Sequence, residues 1–437
     1  MIVIKNGYLI NPARNQEGYA DFLLEQEKIV DISMRTSKDT MEMEAKKWLE
    51  NSLVERVIDA TDCIVAPGLV DVHVHFRDPG FTQKEDLATG ARAAAKGGFT
   101  SVVLMANTAP VIDSKEMLTY VLEKGKETEI TIYSCSAITK GLKGTELVDM
   151  NVLKQAGAVG VTDDGIPLMD EGLLREAMVE SARLELPISL HEEDASMITT
   201  NGINQEMAQT YLGVDGSPRE AESNLVARDL ELALETGAIL NVQHISTKEA
   251  VEHVRRAKEK SLEGRIHAEA TPHHFTLTQE AIREYGTLAK MNPPLRLEED
   301  RLAIIKGLQD NTIDLIATDH APHTKEEKEK EFTKAPSGII GLETALSLGI
   351  THLVERGYLT MMQLIEKMSV NPAKLYGLEA GVLRIGGSAD LIIVHEKEDW
   401  RVDHFLSKSE NSPFIGQTLS GVLHCTICKG AIVYEKE

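Results

Sequence analysis

Two histidines stand two positions apart in VDVHVHFRDPG, residues 70–80, and an arginine follows them before a Pro-Gly turn. Leu69, Val70, Val72, Val74 and Phe76 dominate the run, which reads as a strand closed by PG. Side chains two apart on a strand share a face. His73 and His75 are therefore presented side by side, with Asp71 and, if the extended chain continues, Arg77. A lone histidine on a strand face is more often a packed core residue than a ligand. Two in register at a strand end point to metal.

The same chemistry recurs at the ends of later apolar runs: Asp163 and Asp164 in AVGVTDDG, His191 in PISLHEED, His244 in AILNVQHIS and Asp319 in TIDLIATDH. Four histidines with two carboxylates exceed the needs of one tetrahedral zinc. A pair of divalent cations sharing a bridging carboxylate accounts for the number. Zinc suits a mixed imidazole and carboxylate shell, and manganese, cobalt or iron accept the same ligand types. Water held between two such ions loses its proton near neutral pH, while the ions polarise a carbonyl. That is the chemistry of amide hydrolysis. Asp319 is the candidate for carrying the proton to the leaving nitrogen.

These residues need elements to position them. Strand-like runs at 69–76, 100–107, 130–137, 158–164, 187–194, 238–246, 265–274 and 312–320 alternate with helical patterns such as EDLATGARAAAKGG, SKEMLTYVLEKGKE and SNLVARDLELALETG. Strand then helix, eight times over, is the pattern of a (β/α)8 TIM barrel, whose active sites lie at the C-terminal ends of the strands. A doubly wound sheet would use fewer strands and a Gly-rich phosphate turn, which the sequence lacks. The ends read as short strands with Gly-rich turns. We expect a small β-sandwich formed by 1–66 and 378–437, flanking a barrel over 67–377. The stretch 34–56 reads as a surface helix or insertion. The charged run 323–338 reads as an exposed, solvated loop after strand eight, a mobile cover being the sharper option.

With 46 basic against 69 acidic residues, the net charge is −23, which repels phosphate backbones and argues against nucleic acid. An anionic substrate would then depend on local cations, which singles out Arg77. No apolar run is long enough to span a membrane, and the opening MIVIKNGYLINPARN does not read as a signal peptide, so cytoplasm is the expected compartment. Cys425 and Cys428 form a Cys-x-x-Cys pair, but an odd spacing on a strand sends the thiols to opposite faces. We expect neither metal nor redox chemistry from it.

The order His-x-His, Asp, His, His, Asp resembles the amidohydrolase superfamily. More closely, HVHFRDPG, MANT, TDDG, SLHEED, QHIS, TPHH, MNPPLR, ATDHAPH, SGIIGLET and GVLRIGGSADLIIV resemble dihydroorotase, over nearly the whole chain. The similarity is to the bacterial form in which an aspartate, not a carboxylated lysine, bridges two metals. It implies that His73, His75 and Asp319 hold one ion, that His191 and His244 hold the other, and that Asp164 bridges. Asp163 is the neighbouring alternative, since strand alternation turns only one of the two inward. The implied reaction is reversible hydrolysis of dihydroorotate to N-carbamoyl-aspartate, a step in making pyrimidines. Arg77 would clamp the substrate carboxylate, joined by Asn107 and His323, with Asn292 on the ring. A homodimer and an association with aspartate carbamoyltransferase are the macromolecular partners this resemblance admits. Ala106 replaces the proline usual in MPNT, and the 34–56 stretch is longer than the resemblance implies.

Two alternatives stand beside this reading. A hydantoinase or allantoinase would share the histidines but carry a lysine on strand four, where this chain has GVTDDG. A non-catalytic homologue acting as a scaffold would have lost metal ligands, and none is missing.

Overall fold

The computed structural model describes residues 1–40, 43–262 and 264–436. At the N-terminal end, β1 (Ile2–Asn11), β2 (Gln16–Glu25) and β3 (Lys28–Met34) pair antiparallel, and β4 (Arg56–Asp59) and β5 (Ile64–Pro67) lie parallel to β1. The stretch between β3 and β4 holds a short helix, Met43–Leu49; residues 41 and 42 of that expected insertion lie outside the described residues.

Eight parallel strands follow: β6 (Leu69–Val74), β7 (Phe99–Leu104), β8 (Thr131–Ala137), β9 (Gly160–Thr162), β10 (Ile188–Leu190), β11 (Leu240–Val242), β12 (Ile266–Ala270) and β13 (Leu315–Ile316). The ring closes where Val74 bridges His320 and His75 N donates to His320 O at 3.0 Å. The expected barrel is thus present. Its outward apolar residues, among them Val102, Ile188, Val242 and Ile266, pack in one core with helix residues such as Ala91, Leu118, Met178 and Val226. Local signals set the helices. Asp86 and Thr89 form a capping box that starts Leu87–Lys96, and Gly237 at φ 71° ends Glu220–Thr236.

Several strands are shorter than their apolar runs, because side chains intercept the backbone beyond them. Asp164 N donates to Thr162 Oγ1 at 3.0 Å and His191 N to Asp163 Oδ1 at 3.0 Å, in place of ladder bonds. His73 stands at the end of β6 itself, and His75, Asp164, His191, His244 and Asp319 sit on the rim just past their strand ends.

After the barrel come β14 (Leu391–Arg401), β15 (Thr418–Cys428) and β16 (Ala431–Glu435). β14 pairs antiparallel with β5, so both ends of the chain join in one sheet, ordered β16-β15-β14-β5-β1-β2-β3. Its hydrogen bonds form one continuous path, but Ile29 of β3 and Ile432 of β16, from its two ends, pack in one cluster with Leu9, Phe22 and Ile393. The sheet curls over its own core. Cys425 faces that core, whereas Cys428 Sγ lies 3.5 Å from Thr100 O at the barrel, and burial pushes both thiols up to about 12. Among the described residues, no helix is long and apolar enough to cross a membrane.

Candidate active site

The rim loops converge on one carboxylate. Asp164 Oδ1 lies 3.3 Å from His73 Nε2, 3.6 Å from His191 Nδ1 and 4.0 Å from His244 Nε2, and its Oδ2 lies 3.5 Å from His75 Nε2. Asp319 Oδ1 is 2.9 Å from His75 Nε2 and 3.5 Å from His73 Nε2. Three overlapping sets of these atoms each lie within 4.8 Å of one another: His73, His244 and Asp319; His73, His75 and Asp164; Asp164, His191 and His244. All six residues are buried. Asp163 turns the other way, accepting from His191 N and from Leu168 N at 2.7 Å. Of the neighbouring pair, Asp164 faces the cluster.

The donor set fits divalent cations. His73 Nε2 is buried, has no hydrogen-bond partner and points between two carboxylates. His191 Nδ1 and His244 Nε2 face each other at 2.8 Å, two imidazole nitrogens directed at one place. The electrostatics agree. Burial pushes Asp164 up, but His73 and His75 outweigh it and hold the carboxyl well below the usual range. Burial likewise works against a proton on His73, yet Asp319, Glu269 and Asp164 raise it well above an ordinary imidazole. Both shifts have one cause: buried carboxylates that favour positive charge at the imidazole nitrogens facing them.

A cavity of about 230 Å³ opens over the cluster. His75, Arg77, Asn107, Asp164, His191, His244, Asn292, Asp319 and His323 all line it, and His73 lies beneath at 0% exposure. A second hollow of about 420 Å³ shares Gly165, His191 and Asn292 with it. Asn107 joins two roles, since its Oδ1 meets His75 Nδ1 at 2.9 Å and its Nδ2 donates to Asp164 Oδ2 at 2.9 Å. Asn292 Oδ1 accepts from Ser337 Oγ at 3.0 Å. Burial and the cations Arg77, Lys84 and Lys328 push His323 down to about 2, so its imidazole is neutral.

Three non-glycine residues here adopt left-handed backbone: Arg77 at φ 58°, His244 at 29° and Asp319 at 47°. Such conformations cost free energy and persist where the surroundings enforce them. The extended chain therefore does not continue to Arg77. The turn brings Arg77 Nε within 3.4 Å of Pro322 O on the opposite loop.

The charged run after strand eight is only partly solvated. Thr324 caps a short helix, Lys325–Lys328, and Lys328 is buried, its Nζ donating to Pro336 O and Gly338 O at 3.0 Å each. Buried Lys290 donates to Phe332 O at 2.8 Å and Ala335 O at 2.7 Å from the other side. Both ammonium groups pin the loop from within, which composition alone does not reveal. Sequence reasoning also missed Glu269, 3.0 Å from His73 Nδ1, and Glu193, 3.6 Å from His191 Nε2. Glu269 stands just before the quoted TPHH and Glu193 lies within SLHEED itself, so a carboxylate at a strand end was the available signal.

Residues 64–433 match the Amidohydrolase family. The chain is 52% identical over 434 residues to the dihydroorotase of Clostridioides difficile (strain 630), covering 99% of this chain and 100% of that one. It is 50% identical over 437 residues to the dihydroorotase of Clostridium acetobutylicum, covering 100% of both. Among solved structures it is similar to an L-hydantoinase (dihydropyrimidinase) from Arthrobacter aurescens, at a TM-score of 0.86 and 27% identity, covering 100% of this chain and 96% of that one.

Proposed function

The chain belongs to the amidohydrolase family and, within it, to the dihydroorotases, and from that premise we propose that it hydrolyses the ring amide of dihydroorotate reversibly to N-carbamoyl-aspartate. The step would serve pyrimidine synthesis in the cytoplasm. The observation that carries this reading is a cationic Arg77 lining the same cavity as the histidine–carboxylate cluster, in a chain of net charge −23.

His73, His75 and Asp319 would hold one zinc ion, His191 and His244 a second, with Asp164 between them; Asp164 lies within 4.0 Å of all four imidazoles. Bound there, such ions polarise a carbonyl and acidify a water. The chain's own groups do the rest. Arg77 grips the substrate carboxylate through its forked guanidinium, and neutral His323 and Asn107 complete that end. Asn292, held by Ser337, orients the ring. Asp319 accepts the proton of the attacking water and returns it to the ring nitrogen as the amide bond breaks.

The hydantoinase alternative has the fold similarity in its favour but lacks its lysine, since β9 runs into Thr162-Asp163-Asp164. Ring opening by zinc-loaded protein on dihydroorotate, hydantoin and allantoin separates the readings. Dihydroorotate should be turned over far faster; preference for either neutral ring would overturn the proposal.

A further inference from the structure

The terminal sheet reaches the substrate site. β14 and β15 are joined by residues 402–417, far beyond the roughly two to five that a hairpin needs. This connection runs back to the barrel rim and is tied there. Leu406 N and Ser407 N donate to buried Glu343, Ser407 Oγ donates to buried Glu85, and Ser409 Oγ donates to Lys84 O at 2.7 Å.

Beyond these ties lies Asn411, 3% exposed. Its Oδ1 accepts from His323 N at 3.0 Å, and its Nδ2 donates to both Ala321 O and Gly338 O at 3.0 Å. Its backbone oxygen accepts from Ile340 N at 3.1 Å. Both donors and the acceptor oxygen of the carboxamide are in use. They join the loop carrying His323 to the loop carrying Gly338. These loops also meet at the imidazole, since a Cβ added at Gly338 would come within 2.7 Å of His323 Cδ2. The two loops also join directly, Ala321 N donating to Ile339 O at 3.0 Å, and Asn411 adds the side-chain bonds that hold His323 N and Gly338 O in register beside the imidazole.

We propose that Asn411 is a positioning residue that fixes His323, so that a segment of the terminal domain completes the carboxylate end of the substrate site. The proposal rests on the reading of His323 as a carboxylate contact.

Steady-state kinetics on dihydroorotate and metal content, measured on zinc-loaded Asn411→Ala, Asn411→Ser, His323→Ala and the double variant His323→Ala/Asn411→Ala, test it. Asn411→Ala should raise KM about tenfold while kcat stays within about threefold and bound metal is unchanged. Asn411→Ser should fall between it and the parent. The double variant should be no worse than His323→Ala alone, because both losses run through one imidazole. Losses that multiply in the double variant, or an unchanged KM in Asn411→Ala beside a raised one in His323→Ala, overturn the positioning role. An unchanged KM in His323→Ala overturns the carboxylate contact itself. If Asn411→Ala does not fold, Asn411→Ser and its double variant with His323→Ala carry the same comparison.

Discussion

His73 Nδ1 lies 3.0 Å from Glu269 Oε2, and both side chains are wholly buried. Asn241 Nδ2 donates to the other oxygen of Glu269 and so holds the carboxylate in place. The pair fixes the imidazole with its proton on Nδ1 and leaves Nε2 facing Asp164 and Asp319. Outer partners of this kind commonly shift metal affinity by about 10–100-fold. Glu269→Gln should therefore weaken zinc binding on that scale in chelator competition. Parental affinity would show that the contact is packing only.

Asp164 and Asp163 should separate cleanly. Asp164→Ala removes the carboxylate that every site imidazole faces, so metal analysis should show loss of metal together with activity. Asp163→Asn should keep most of both and lose thermal stability instead, since Asp163 latches His191 N and Leu168 N. The reverse pattern would reassign the bridge.

Asp319→Asn keeps the shape but loses the proton acceptor and weakens one proposed metal ligand, so it is compared with the parent at matched zinc content. General acid–base catalysis contributes about 10²–10⁴-fold, so kcat should fall on that scale even at saturating substrate. A variant rescued by raising substrate concentration would mean that Asp319 only binds.

At the opposite face of the barrel, Asp314 accepts from His267 Nδ1 at 2.6 Å, Lys258 Nζ at 2.9 Å and Ala268 N at 3.1 Å. Burial pushes its carboxyl up, but His267 and Lys258 outweigh it and hold the pKa at about 2 against an ordinary 3.8. A depressed folded pKa contributes stability above the unfolded value, lost as pH falls through the folded one. Asp314→Asn should thus lower Tm at neutral pH, and the gap from the parent should close between about pH 4 and pH 2. Turnover should be unaffected, because this face holds the barrel together and not the chemistry. A constant gap across that range would remove the ion pair from the account.

Much of this was legible in the sequence because it is local. Five apolar runs ending in His or Asp announce strands that deliver ligands to one rim, and eight strand-like runs alternating with helical patterns announce the barrel. What was not legible depends on distant partners. Glu269 finds its meaning only when β12 lies near β6, and Asn411 only when the β14–β15 connection crosses to the rim. Lys328 sits in a run of charges, where composition favours solvent, yet carbonyls of its own loop satisfy it in the interior. The turn at Arg77 is likewise set by the loops around it, since arginine has no preference for φ 58°.

In the proposed function, Arg77 reads a substrate carboxylate beside a metal-dependent amidohydrolase centre. The direct measurement is kcat/KM of the zinc-loaded parent and Arg77→Lys on dihydroorotate and on dihydrouracil, the same ring without the carboxylate. Lysine keeps the charge but loses the fork, so efficiency on dihydroorotate should fall roughly ten- to a hundredfold with metal content intact. Dihydrouracil should be a poor substrate for both proteins and change little. Equal losses on the two rings, or a parent that prefers dihydrouracil, would contradict the account and leave a hydantoinase-like enzyme in its place.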